Sequence, residues 1–82
     1  MVIKMLIVSQ NLHETFDIEK FDEFDLREVD GEWLLSADLK GKNEGRVLGL
    51  FKDKEKAENE FCALMLSYAQ GEKIHFVKGG AK

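Results

Sequence analysis

Chemistry in a small chain needs nucleophiles, bases or metal ligands at spacings that bring them together. Two histidines, one cysteine and sixteen carboxylates are the raw material here. His13-Glu14 begins like a zinc-protease motif, but no second histidine follows at the helical spacing that sets two imidazoles on one metal. The pair reads as a solvated loop. His75 has no cysteine or aspartate at metal-ligand spacing and reads as a surface or rim histidine. Cys62 has no base placed beside it by sequence, so a small buried or half-buried hydrophobe is a better reading than a nucleophile. Asp22, Glu23 and Asp25 crowd like calcium ligands, yet the run lacks the alternating ligand positions, the central glycine and the closing glutamate of a calcium loop. Gly41 to Gly45 is followed by neither a helix nor Lys-Ser/Thr, so it reads as a hairpin turn and not as a phosphate loop. The expectation is therefore no catalytic residue, no cofactor and no metal: a chain that is not an enzyme.

Charge is what remains. From Asn11 to Glu32 there are nine acidic residues against two basic ones, a charge of −7, which leaves +3 for the other sixty residues. Phe16, Ile18, Phe21, Phe24, Leu26 and Val29 are threaded through this acid. One reading is an edge strand that turns its aromatics inward and uses charge to block edge-to-edge association. The other is a docking surface for a basic protein partner, with Asp17, Glu19, Asp22, Glu23 and Asp25 as contacts and Phe21 as an exposed or half-exposed anchor. The net charge of −4 argues against nucleic acid, because phosphate binding wants a basic surface. The basic-leaning middle (Lys40, Lys42, Arg46, Lys52, Lys54 and Lys56) reads as a solvated face, with a nucleic-acid footprint over Lys40–Lys56 as the alternative.

These residues must be positioned by elements that the local pattern sets. Phe51 to Gly71 is the one segment long and periodic enough for a helix, over about residues 53–70, with Asp53 as N-cap and Gly71 ending it. At about 100° per residue, Ala57, Phe61, Leu64, Met65 and Tyr68 form one apolar stripe. Burying five such side chains contributes on the order of 10 kcal/mol before entropy is counted. Cys62, Leu66 and Ala69 lie outside that stripe and are candidate contacts to a second copy. Val2 to Val8 reads as a strand. Phe16/Ile18 and Phe24/Leu26 alternate with charge, which favours strands, and Phe21 breaks the alternation as a turn or bulge would. Asp30-Gly31 between alternating runs predicts a tight hairpin. Trp33, Leu35, Ala37 and Leu39 then share one face. Arg46 to Phe51 is a further strand, in which Gly49 marks a bulge or a close approach. Glu72 to Lys78 is a last short strand.

Eighty-two residues make one domain over 1–78, with a flexible tail at 79–82. The class is α+β: a mostly antiparallel sheet of four to five strands in a meander, one helix on one face, and a final strand. A lone cysteine favours a reducing cytoplasm. The first ten residues lack the apolar core and cleavage site of a signal peptide, and no run approaches the ~20 apolar residues of a membrane span. The path from Leu26 to Val77, with Asp30-Gly31, Leu48-Gly49, Ala57 and Gly71 at its junctions, resembles small uncharacterised proteins of Gram-positive bacteria and their prophages. In these a β-meander runs through a Leu-Gly-x-Phe/Tyr junction into one helix. The resemblance implies the fold and carries no activity. The functional expectation is a non-enzymatic protein–protein interaction module, with a basic protein and a second copy of the chain as candidate partners.

Overall fold

A computed structural model describes residues 4–41 and 44–78. The chain runs β1 (Leu6–Val8), β2 (Thr15–Asp17), a single 3-10 turn (Ile18–Lys20), β3 (Phe21–Val29), β4 (Glu32–Leu39), β5 (Gly45–Phe51), α1 (Lys54–Ala69) and β6 (Ile74–Phe76). The architecture is α+β with one helix, as the alternation implied. The strands divide into two three-stranded sheets, ordered β2-β1-β6 and β3-β4-β5. β1 pairs antiparallel with β2 and parallel with β6, so the first and last strands meet side by side. The strand expected over Val2–Val8 is shorter here. Its first residues, like Lys42 and the tail at 79–82, lie outside the described residues.

The meander is built by local chemistry. Asp30 (φ 52°) and Gly31 (φ 80°) both adopt the left-handed backbone of a two-residue hairpin turn, and Val29 pairs with Glu32 across it. Leu35 and Ala37 are buried on one face of β4, with Trp33 and Leu39 packed beside them. β5 slips register where its partner steps from Leu35 to Ser36, leaving Leu48 as the extra residue. Beside this bulge, a Cβ on Gly49 would sit 3.0 Å from Val77 Cγ1 and from the Phe51 ring, the close approach that its glycine predicts.

The helix starts where Asp53 accepts the Glu55 N–H (2.9 Å). It ends where Gly71 (φ 77°) donates to the Tyr68 carbonyl and Glu72 to that of Ser67. Its buried line differs from the expected stripe. Ala57 and Leu64 are fully buried and Glu60 is largely buried beside them, while Phe61 and Met65 are half-buried and Tyr68 is 39% exposed. At about 100° per residue the buried line is rotated by roughly 50° toward Glu60. The cause is a partner for Glu60, described below, which removes the usual penalty on a buried carboxylate.

The core joins both sheets to the helix through Met5, Ile7, Leu35, Leu48, Phe51 and Leu64. Gln10 stitches the two sheets directly. Its N–H donates to the Leu48 carbonyl and its Oε1 accepts the Leu50 N–H, both at 2.9 Å. Among the described residues no helix is long and apolar enough to cross a membrane.

Candidate functional site

The acidic-aromatic stretch folds into one wall of a groove. Asp17 ends β2 and caps the 3-10 turn by accepting the Glu19 N–H at 2.9 Å. The turn sends Ile18 inward and Glu19 outward. The register then slips between Phe21 and Glu23, so Asp22 bulges into solvent. The bulge lets Phe21 and Phe24, three residues apart, both face the core side of an extended strand. Phe16, Phe21 and Phe24 stack edge to face in a chain, with successive ring centroids 5.5 Å apart.

Between this wall and α1 lies an open groove of about 360 Å³. Ile18, Phe21, Phe24 and Met65 supply its apolar floor, and Glu19, Asp22, Lys40 and Tyr68 its polar rim. The Tyr68 hydroxyl donates to Glu19 Oε2 (3.2 Å) and so ties the helix to the turn. Lys40 is set at the rim because its N–H donates to the Lys20 carbonyl (2.8 Å). The rim carries two carboxylates against one ammonium. Such a groove can take an aliphatic stem along the floor and a cationic head at the rim.

Of the six residues expected to form a docking surface, the fold brings three together: Glu19, Phe21 and Asp22. Phe21 is not the exposed anchor that its acidic neighbours implied. It is 5% exposed, drawn inward by the bulge, and serves as floor. Asp17 is committed to its capping bond. Glu23 and Asp25 point to the opposite face of the sheet, where Glu23 lies across from Asp38, and Asp25 accepts from Ser36 Oγ (2.6 Å) and pairs with Arg27 (3.2 Å). The basic residues are also dispersed: Arg46 pairs with Glu44 (2.8 Å), and the Lys54 ammonium sits 5.4 Å from the centre of the Trp33 ring. Lys52 and Lys56 are exposed. Leu66 and Ala69 are exposed on the helix face away from the sheets. Cys62 is exposed with them, where a buried or half-buried hydrophobe was expected, because the helix is rotated away from it.

A second constellation escaped sequence reasoning. His75 Nε2 lies 2.6 Å from Glu60 Oε2, and its Nδ1 lies 2.8 Å from Ser67 Oγ. The Glu60 and His75 side chains are each only 10% exposed, so His75 is no rim histidine. Glu60 and Ser67 are seven residues apart on one helix, beside buried Leu64. That spacing is the signal that could have found them. The hydrogen bonds are satisfied in either protonation state. Neutral His75 donates from Nε2 to Glu60 and accepts at Nδ1 from the Ser67 hydroxyl, whereas protonated His75 donates to both. The order Ser–His–Glu is that of a proton relay, but Ser67 lies in the last turn of α1, where the helix presents carbonyl oxygens. An oxyanion formed there would meet the negative end of the helix dipole and no N–H donor from that turn. The chemistry this geometry supports is a clasp fastening β6 to α1. No family model matches the chain, and no curated protein or solved structure matches it.

Proposed function

We propose that the chain is a non-enzymatic interaction module that docks a basic, partly apolar segment of a partner protein in the groove between β3 and α1. The observation that carries this reading is the pairing of an apolar floor with the Glu19 and Asp22 carboxylates in one open groove. Lysine and arginine side chains match it, since their stems cover apolar surface while their heads seek carboxylates. A rim-exposed ion pair adds little affinity by itself, so the floor supplies most of the binding and the acid selects the partner.

The test uses the division of the acidic residues between two faces. Glu19→Lys/Asp22→Lys reverses the groove rim, and Glu23→Lys/Asp25→Lys makes the same charge change on the opposite face of the sheet. Partner proteins recovered from lysate should be lost with the first pair and kept with the second. An unchanged set with the rim reversed would sink the reading, and equal loss with both pairs would reduce it to non-specific charge attraction.

A further inference from the structure

We propose that the cationic head taken by the groove is an arginine guanidinium of the partner protein, selected over a lysine ammonium. The proposal rests on the docking groove between β3 and α1 and names the side chain recognised there. The rim carboxylates are not neutralised from within. Among the described residues the ion pairs are Arg27–Asp25, Arg46–Glu44 and His75–Glu60, and none of them involves Glu19, Asp22 or Lys40. Glu19 spends Oε2 on the Tyr68 hydroxyl (3.2 Å), which holds its carboxylate at the rim and leaves Oε1 to a ligand. The carboxylates of this stretch that accept hydrogen bonds are those of Asp17, Glu19 and Asp25, so Asp22, out on its bulge, keeps both oxygens. Three acceptor oxygens thus remain for one cationic head.

Donor number does not choose between the two cations, since an ammonium carries three N–H groups and a guanidinium five. The open setting and the rings do. A head bound at this rim keeps water on one side. An ammonium is compact and strongly hydrated, and a solvated ion pair contributes little. A guanidinium is planar and weakly hydrated, so it can lie against ring surface while its edges bond carboxylates. Ring surface is present where the carboxylates are. Tyr68, 39% exposed, reaches from α1 to Glu19, and half-buried Phe24 lines the same groove. The planar fork can then engage Asp22 through two parallel bonds and reach Glu19 from another edge. The stem behind it covers Ile18 and Met65 on the floor.

The test is a chemical-shift titration of the full chain with two blocked tripeptides, Leu-Arg-Leu and Leu-Lys-Leu, followed at the Met65 methyl and the Glu19 and Asp22 amides. The arginine peptide should bind about fivefold more tightly than the lysine peptide. Tyr68→Leu removes ring and hydroxyl together and should lower that ratio below about twofold, whereas Tyr68→Phe keeps the ring and should hold it above about threefold. Glu23→Gln, on the opposite face of the sheet, should leave the ratio unchanged. A purely structural role for Tyr68 would weaken both peptides alike and leave the ratio where it was. Equal affinities, or a ratio untouched by Tyr68→Leu, overturn the selection of arginine while the docking groove stands. Absence of shifts at the groove with either peptide overturns both.

Discussion

Glu60 and His75 are each tolerable in the interior because the other completes its hydrogen bonding, and this makes their removal asymmetric. Taking one away strands the other: Glu60→Ala leaves a largely buried imidazole without its acceptor, and His75→Ala leaves an equally buried carboxylate without its donor. Each should cost about 2 kcal/mol of unfolding free energy in urea titrations. Removing both should cost clearly less than the sum, since only the first substitution leaves an orphan. Replacing the pair by leucines, Glu60→Leu/His75→Leu, should come within about 1 kcal/mol of the parent, because the clasp would be exchanged for packing of similar volume. Ser67→Ala should cost less than either single change, as a hydroxyl–imidazole bond contributes about 1 kcal/mol. Additive effects of the two single changes would instead mean that Glu60 and His75 are not coupled in the folded protein.

The helix shows which parts of an element are readable from its own residues. Its existence, its Asp53 cap and its Gly71 stop depend on neighbours a few positions away, and the pattern of the segment contains them. The same is true of the Asp30-Gly31 hairpin. The rotation of the helix is different, because it depends on His75, a residue of another element whose hydrogen bond makes Glu60 compatible with burial. An apolar wheel assigns a carboxylate to solvent and so turns the stripe toward Phe61 and Tyr68. The groove was half legible for a related reason. Its acids and aromatics stand adjacent in the chain, but the bulge at Asp22 decides which of them share a face. Three predictions belong to this scale. Asp53→Ala should lower stability by about 1 kcal/mol through loss of the cap, whereas Leu66→Lys, at a 57% exposed position, should change it by less than about 0.5 kcal/mol. Gly49→Ala should cost about 1–3 kcal/mol despite the small added group, because the new methyl meets Val77 and Phe51 at 3.0 Å beside a bulge that is already packed. Thermal melts of the three variants would rank them; a neutral Gly49→Ala would mean that Val77 moves freely.

At the scale of the whole molecule, the question is what makes two three-stranded sheets one folding unit. Strands of three residues, as in β1, β2 and β6, have little stability by themselves. They persist because Met5 and Ile7 enter the shared core and because Gln10 joins the end of β1 to the free edge of β5. Gln10 is forty positions from Leu50, and nothing in its neighbourhood, Ser9 to Leu12, marks it as more than a loop residue. This is why a single larger sheet was the natural reading of the strand order. The junction also shields β5: its edge at Leu48 and Leu50 is occupied, which leaves β6 as an open edge with exposed apolar side chains. Gln10→Ala removes the acceptor of the Leu50 N–H while keeping the backbone bond to Leu48. It should lower stability by about 1–2 kcal/mol, since the Leu50 amide is part-buried and loses its partner. A selective effect is also expected. Amide exchange at Leu50 and in β1 should accelerate more than exchange at the β3–β4 hairpin, because the sheet containing β1 would open while the meander stays closed on the helix. Uniform acceleration across both sheets would instead mean that the two open together, with the core rather than Gln10 as their only bond.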